Sequence, residues 1–349
     1  RVDPFGTLQQ MFQHEWFNQT TVHPLGLLAV IALGLATLLV PRRYALVPII
    51  SMAVFISAAQ RIVIFTLDFN FLRLMVLAGL LRIVLRSEYF LHRWRMLDTA
   101  VILWAVVGTL MHSLLNGDIA SVVRMTGASF DAVGLYFLFR VLIREWEDIA
   151  LVTKHFVYLS IPVMLAFLWE RNTGRNVFSI FGGVPEFTVI REGKLRVPGA
   201  FSHPILAGVF WASLIPLAMA LYHQPMRTRW LTFVALISFG LIILSTASST
   251  PIGAGLICLG MMALYPLRGY RKCMKWGVIG AIIGLELVMN HHVWHLFTWI
   301  DFVGGSTAWY RYYLIEVFIN HFSEWWIIGT NNFHSLGNWN VIGGVTNQY

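Results

Sequence analysis

The stretch SVVRMTGASFDAVGLYFLFRVLIREWEDIALVTKHFVYLSIPVMLAFLW, residues 121–169, decides the fold. Two apolar segments, 121–143 and 149–169, flank a short loop carrying Arg140 and Arg144. Each segment has close to the roughly 20 residues a helix needs to cross the hydrocarbon core of a bilayer. Cytoplasmic loops collect Lys and Arg, so this loop is expected on the cytoplasmic face. The pattern continues outward in both directions. Apolar spans at 25–40, 44–60, 62–85 and 97–115 precede the stretch, and others at 203–222, 230–246, 252–266 and 276–290 follow it. That makes about ten candidate spans. Every second short loop is basic: Arg42 and Arg43; Arg86, Arg93 and Arg95; Arg140 and Arg144; Arg227 and Arg229; then Arg268, Arg271, Lys272 and Lys275. The predicted fold is all-α and polytopic, with two long segments, 170–202 and 291–349, on the face opposite the basic loops. Long connections without regular structure are usually functional or disordered, so the chemistry is sought there.

Composition supports the same class. The chain is 57% hydrophobic and 12% charged, against about 25% charged residues in soluble domains. A formal charge of +8 raises nucleic acid as a partner, but 13 of the 25 Lys and Arg residues lie in the five basic loops. Most of the excess is therefore topological, and nucleic-acid binding is rejected. Cys258 lies inside a span and Cys273 in a basic loop, so no disulfide framework is expected. Trp94, Trp230 and Trp276 flank spans, as interfacial belt residues do. The chain divides into N-terminal spans (1–169, opening with a polar-aromatic stretch at 1–24), a first outer segment (170–202), central spans (203–290) and a large outer segment (291–349). Both ends read as truncated, with further spans expected after Tyr349.

The outer segments contain the candidate residues. In 170–204, the alternation of Phe187–Ile190 predicts a short hairpin with 194–197 around Glu192-Gly193. The run Arg196-Val-Pro-Gly-Ala-Phe-Ser-His203-Pro puts a guanidinium just before a Pro-Gly turn and a histidine at a helix mouth. Pro204 fits the first position of that helix. Arg196 reads either as a snorkelling arginine or as a bidentate phosphate ligand. Further on, Ser306 or Thr307 caps a predicted helix to about residue 322, too polar to span and suited to lying flat at the interface. Its Arg311 reads as a cation–π partner of the adjacent aromatics or as a second phosphate clamp. His334 beyond it is a candidate general base, or else a surface histidine.

Charges within spans raise the same choice between packing and function. Arg124 and Asp131 share a helical face, either as part of an ion pair or with Arg124 aimed at an anion in an outward cavity. Arg61, Asp68 and Arg73 pose that question around the third span. Arg82 and Lys154 are read as snorkelling residues. His291, His292 and His295 have helical zinc-ligand spacing but no nearby carboxylate or further cysteine to complete a site, so no metal is assigned. Walker A, Gly-x-Ser-x-Gly and Asp-x-Asp motifs are all absent from the sequence. This argues against ATP-driven transport, serine hydrolysis and the usual metal–nucleotide site of sugar-nucleotide transferases.

Taken together, RVPGAFSHPILAGVF at 196–210, STASSTPIGAGL at 245–256, STAWYRYYLIEVF at 306–318 and GTNNFHSLGNWNVIGGVTNQY at 329–349 resemble the O-antigen ligase and polysaccharide polymerase superfamily of bacterial inner membranes. The resemblance covers the second half of the chain; the first half matches only as hydrophobic spans. It implies a multi-pass inner-membrane glycosyltransferase with a periplasmic active face. Its donor is a glycan on an undecaprenyl-diphosphate carrier, and its acceptor is a glycan, a lipid or a protein. Neither cofactor nor metal is implied. Arg196 and Arg311 are then the diphosphate-binding pair, with Arg124, His203 and Asn347 as further substrate contacts. Two departures stand out: Ser248-Ser249-Thr250 replaces a Ser-Arg pair, and Thr346 stands where many members have a catalytic histidine. His334 is the first candidate for the missing base and His203 the second. The competing expectation is a transporter or flippase of lipid-linked glycan using the same arginines. Such proteins often show inverted repeats and helices broken at mid-membrane, neither of which is evident in the sequence.

Overall fold

A computed structural model describes residues 20–65, 67–88, 93–191, 193–223, 229–289, 291–299, 307–327 and 329–330. The described residues are mostly helical (76%), with little strand. Its first half runs α1 (Pro24–Leu39), α2 (Leu46–Phe55), a hairpin of β1 (Arg61–Ile64) and β2 (Leu67–Asn70), α3 (Phe71–Leu85), α4 (Met96–Asn116), α5 (Ile119–Leu142) and α6 (Trp146–Thr173). The second half has a small hairpin of β3 (Ile190–Arg191) and β4 (Lys194–Leu195), then α7 (Pro204–Ser213), α8 (Ile215–Ala220), α9 (Arg229–Ser245), α10 (Ser249–Ala263), α11 (Arg271–Val288), α12 (Thr307–Asn320) and α13 (Phe322–Trp325).

Helices α4, α5 and α6 are each long and apolar enough to cross a membrane. The segments Ser249–Ala263 and Tyr265–Val288 meet that test only as a pair bent by 73°. Local chemistry sets the helix ends. Asp118 caps α5 by accepting the N–H of Ser121 (3.1 Å), while α4 and α6 stop at left-handed Gly117 and Gly174. The core lies between α1–α3 and α5–α9, around Phe71, Met75, Phe167, Trp211 and Phe239. By contrast α4 leaves Leu103, Trp104, Leu110 and Leu114 more than half exposed. An apolar surface of that extent calls for a partner other than water.

Close approach and buried polar pairs fix the bundle. A Cβ on Gly134 of α5 would sit 2.4 Å from Val76 of α3, the kind of small-residue contact that brings helices together. Across the same interface Arg73 clamps Asp131 at 3.0 and 2.9 Å, and Asn70 adds a third bond to that carboxylate (3.1 Å). Removing one partner of a buried pair costs about 3–5 kcal/mol. Ser160 of α6 and Ser238 of α9 share a buried hydrogen bond of 2.7 Å.

The loops sort to two ends. At one, Arg42 bonds the Leu142 carbonyl and Asp148, Arg43 pairs with Glu145, Arg144 with the Glu88 carbonyl and Arg140 with that of Arg93. Three of the five basic loops thus meet there. At the other end Gln60 bonds the carbonyls of Phe181 and Gly182 and accepts from the N–H of His23, and Ser57 bonds Gly183. The first outer segment therefore packs against the turns at the opposite end of the bundle.

Several expectations need correction. The third predicted span, 62–85, is helical only from Phe71; residues 61–70 pair as an antiparallel hairpin with Arg61 opposite Asn70. The span 203–222 breaks at Leu214, where Pro216 follows in the first turn of α8. That break and the 73° bend are interrupted helices that hydropathy does not reveal. Arg82 does not snorkel: it is 1% exposed, bonding the Thr37 and Val40 carbonyls and pairing with Glu88. The predicted hairpin after α6 forms, shorter than expected, with Ile190 opposite Leu195 and Arg191 opposite Lys194.

Candidate functional site

The segment after α6 folds back through backbone pairing. Gly174 accepts from the N–H of Thr188, Glu186 from that of Asn176, and Asn176 sends its side-chain amide to the Gly199 carbonyl (2.8 Å). The buried carboxylate of Glu170 accepts from the Thr188 hydroxyl (2.5 Å). These bonds hold the Pro-Gly turn firmly. Gly199 has φ +60°, and a Cβ there would lie 2.2 Å from Phe167. Val197 and Ala200 are buried on either side of the turn. Arg196 is therefore fixed half-exposed, one residue before a buried anchor.

His203 caps α7, its Nδ1 accepting the N–H of Ile205 at 3.2 Å. Its pKa is lowered, first by desolvation among neighbouring groups, although part of the ring stays exposed, and then by the charges of Arg196 and Arg191. Histidine and arginines thus share one electrostatic neighbourhood. The cap commits the lone pair of Nδ1, which argues against His203 as the general base and for a role in shaping the helix mouth.

The turn between α9 and α10 meets this segment directly. The N–H of Val197 points to the Ser245 carbonyl (3.4 Å). A Cβ on Gly208 would lie 2.4 Å from Pro251 and 3.1 Å from Thr246, so α7 and α10 touch at that glycine. Ala247 adopts φ +45°, a conformation that costs a residue with a Cβ about 1 kcal/mol or more. Such outliers persist where the surroundings over-determine them, and they cluster at functional sites. Arg311 of α12 donates to the Thr250 hydroxyl. Thr250 belongs to the Ser248-Ser249-Thr250 run noted above for its missing arginine; here a guanidinium from elsewhere in the chain reaches that run.

The remaining candidates fall elsewhere. Asp131 pairs with Arg73 and not with Arg124. Arg124 is exposed and contacts His112 (3.3 Å) and Ser121 (3.4 Å) at the same end of the bundle. Arg61 pairs across its hairpin with Asp68 at 3.4 Å. His334, Thr346 and Asn347, together with Ser306 and Arg227, lie outside the described residues. The three histidines of 291–295 do not converge: His291 stacks on His295 (4.8 Å), whereas His292 stacks on Trp294 (4.2 Å) and turns to Glu286. Among the described residues no group of three His, Cys, Asp or Glu is placed to hold a metal. Sequence reading missed the Glu286–His292 pair, because the carboxylate lies in the preceding span rather than among the histidines.

Comparison with protein-family models, with curated proteins and with solved structures finds no match to this chain.

Proposed function

We propose that this chain is a multi-pass membrane glycosyltransferase that moves a glycan from a polyprenyl-diphosphate carrier to an acceptor hydroxyl. In this reading its chain crosses a bacterial inner membrane about ten times, with the basic loops cytoplasmic and the two long outer segments capping a periplasmic site. One juxtaposition carries the reading. Three runs far apart in sequence meet at the turn between α9 and α10: Val197 on Ser245, Gly208 on Pro251, and Arg311 on Thr250. This brings Arg196 and Arg311, which positive-inside bias does not favour at this end, to the same turn. Guanidinium groups suit a diphosphate because they donate in pairs and stay charged, and they stabilise a leaving group as its charge develops. Arg124, at the same end, is a further anion contact.

The test uses the purified full chain in lipid nanodiscs with an undecaprenyl-diphosphate-linked glycan as donor. Lipid A–core, or a second donor molecule, serves as acceptor. Arg196→Ala and Arg311→Ala are each expected to lower transfer by about 10²–10³-fold. Full transfer in both variants would end the diphosphate-clamp reading. The broken helices favour a second reading, transport of the lipid-linked glycan. In that case labelled donor would cross the bilayer of proteoliposomes with no glycan transferred.

A further inference from the structure

Glycosyl transfer to a hydroxyl needs a group to take the hydroxyl proton, and the cap at His203 makes that imidazole a poor choice. We infer that the Glu286–His292 pair supplies it, with His292 the proton acceptor and Glu286 its positioning residue; this rests on the glycosyltransferase reading above.

The geometry is that of a carboxylate–imidazole dyad. Glu286 Oε1 lies 2.6 Å from His292 Nδ1. The second carboxylate oxygen accepts the N–H of Val293 at 2.7 Å, so the carboxylate is itself held by the backbone where the chain leaves α11. Trp294 stacks on the imidazole at 4.2 Å, with 15° between planes. Two contacts therefore fix the ring, and a third holds the carboxylate. A carboxylate at Nδ1 selects the tautomer with the proton on that nitrogen, which leaves the Nε2 lone pair to accept a proton and stabilises the imidazolium once formed. His292 is exposed and open to an acceptor from outside.

The dyad is tied to the arginine site through one short element. The 3₁₀ turn Val293–Trp299 follows His292 directly and packs on α12. Its His295 sets its ring edge against Tyr312 (4.9 Å), the residue next to Arg311. Tyr312 is held above its ordinary range chiefly by a hydrogen bond to Glu316. Next to the dyad on its own turn the titratable groups are His291 and His295, and from α12 Tyr312, bonded to Glu316, faces His295. The acceptor O–H gives its proton to His292 Nε2, and the oxygen lone pair forms the bond to the anomeric carbon. The bond from that carbon to the diphosphate oxygen breaks, and its electron pair leaves with the polyprenyl diphosphate, whose added charge Arg196 and Arg311 hold.

The experiment pairs transfer with a readout independent of turnover. In the nanodisc assay, His292→Ala and His292→Gln are expected to lower kcat by about 10²–10⁴-fold, with binding of a fluorescent donor unchanged. Arg311→Ala should weaken that binding. Glu286→Gln should lower kcat less than His292→Ala, because the imidazole stays in place but loses the carboxylate that fixes its tautomer. ¹⁵N-histidine NMR of the unaltered chain should show His292 protonated on Nδ1 when neutral, and this preference should fade in Glu286→Gln. Wild-type turnover in His292→Ala, alongside a defective Arg311→Ala, would overturn the dyad and leave the glycosyltransferase reading intact. A neutral His292 protonated on Nε2 would also overturn it. Absence of transfer by the unaltered chain with either acceptor would remove both readings together.

Discussion

At the mouth of α7, one imidazole serves as a helix cap under the field of two arginines. His203 accepts the Ile205 N–H only while Nδ1 is unprotonated. Desolvation, then Arg196 and Arg191, pull its pKa below the ordinary value of 6.5. The unfolded chain therefore takes up this proton at a higher pH than the folded one. Between those two values the unfolded state holds more protons, so stability rises with pH across that window and falls on acidification through it. His203→Asn keeps a capping oxygen that does not titrate in this range. Its unfolding temperature in detergent should depend less on pH between about 5 and 7 than that of the unaltered chain. Equal slopes would remove His203 as a source of acid sensitivity.

Between elements, the decisive contact is Gly208 of α7 against Pro251 of α10. Gly208→Val should push these helices apart, lower the unfolding temperature and reduce transfer more than tenfold, a barrier raised by at least about 1.4 kcal/mol. Gly240→Ala on α9 is the control: its Cβ would meet nothing within 4 Å, so it should be neutral or stabilising by up to about 1 kcal/mol. Thermal unfolding and the transfer assay on both variants decide the point. The contact also marks how far the sequence could be read. Hydropathy located α1, α4, α5, α6 and α9 to within a few residues because their apolar runs are long and end at charged or glycine-bearing loops. It failed at 61–70, where Ile62, Val63 and Ile64 are apolar whichever backbone they adopt. Only pairing with Leu67–Asn70, turned through Phe65 at φ +58°, makes them a strand. The runs carrying Arg196, Thr250 and Arg311 were legible one by one. Their meeting was not, since it rests on tertiary contacts, Gly208 on Pro251 and Arg311 on Thr250, that no local pattern encodes. Similarly, the spacing within 291–295 raised a metal site only to set it aside, while the partner of His292 sits six residues earlier on another element.

Across the whole molecule, three of the five basic loops gather at one end, with Arg42, Arg43, Arg140 and Arg144 on carboxylates and carbonyls, while Arg124, Arg191, Arg196 and Arg311 lie at the other beside the Arg61–Asp68 and Arg73–Asp131 pairs. If the first end is cytoplasmic, accessibility should follow. Exposed Ser202, changed to cysteine in a chain lacking Cys258 and Cys273, should react with a membrane-impermeant maleimide on spheroplasts. The exposed native Cys273, alone in its chain, should react only after the membrane is opened. Labelling of both from the same side would overturn the topology. The packing at the arginine-rich, carboxylate-paired end also bears on how the chain is made. The last carbonyls of α1, Thr37 and Val40, are taken by Arg82, and Leu39 by Arg86. Both arginines lie more than 40 residues downstream of those carbonyls. During synthesis the ribosome therefore releases α1 with an unfinished C-terminal turn, which α3 completes only on arrival. The end of α1 is thus finished by α3, so the two helices are expected to gain stability together.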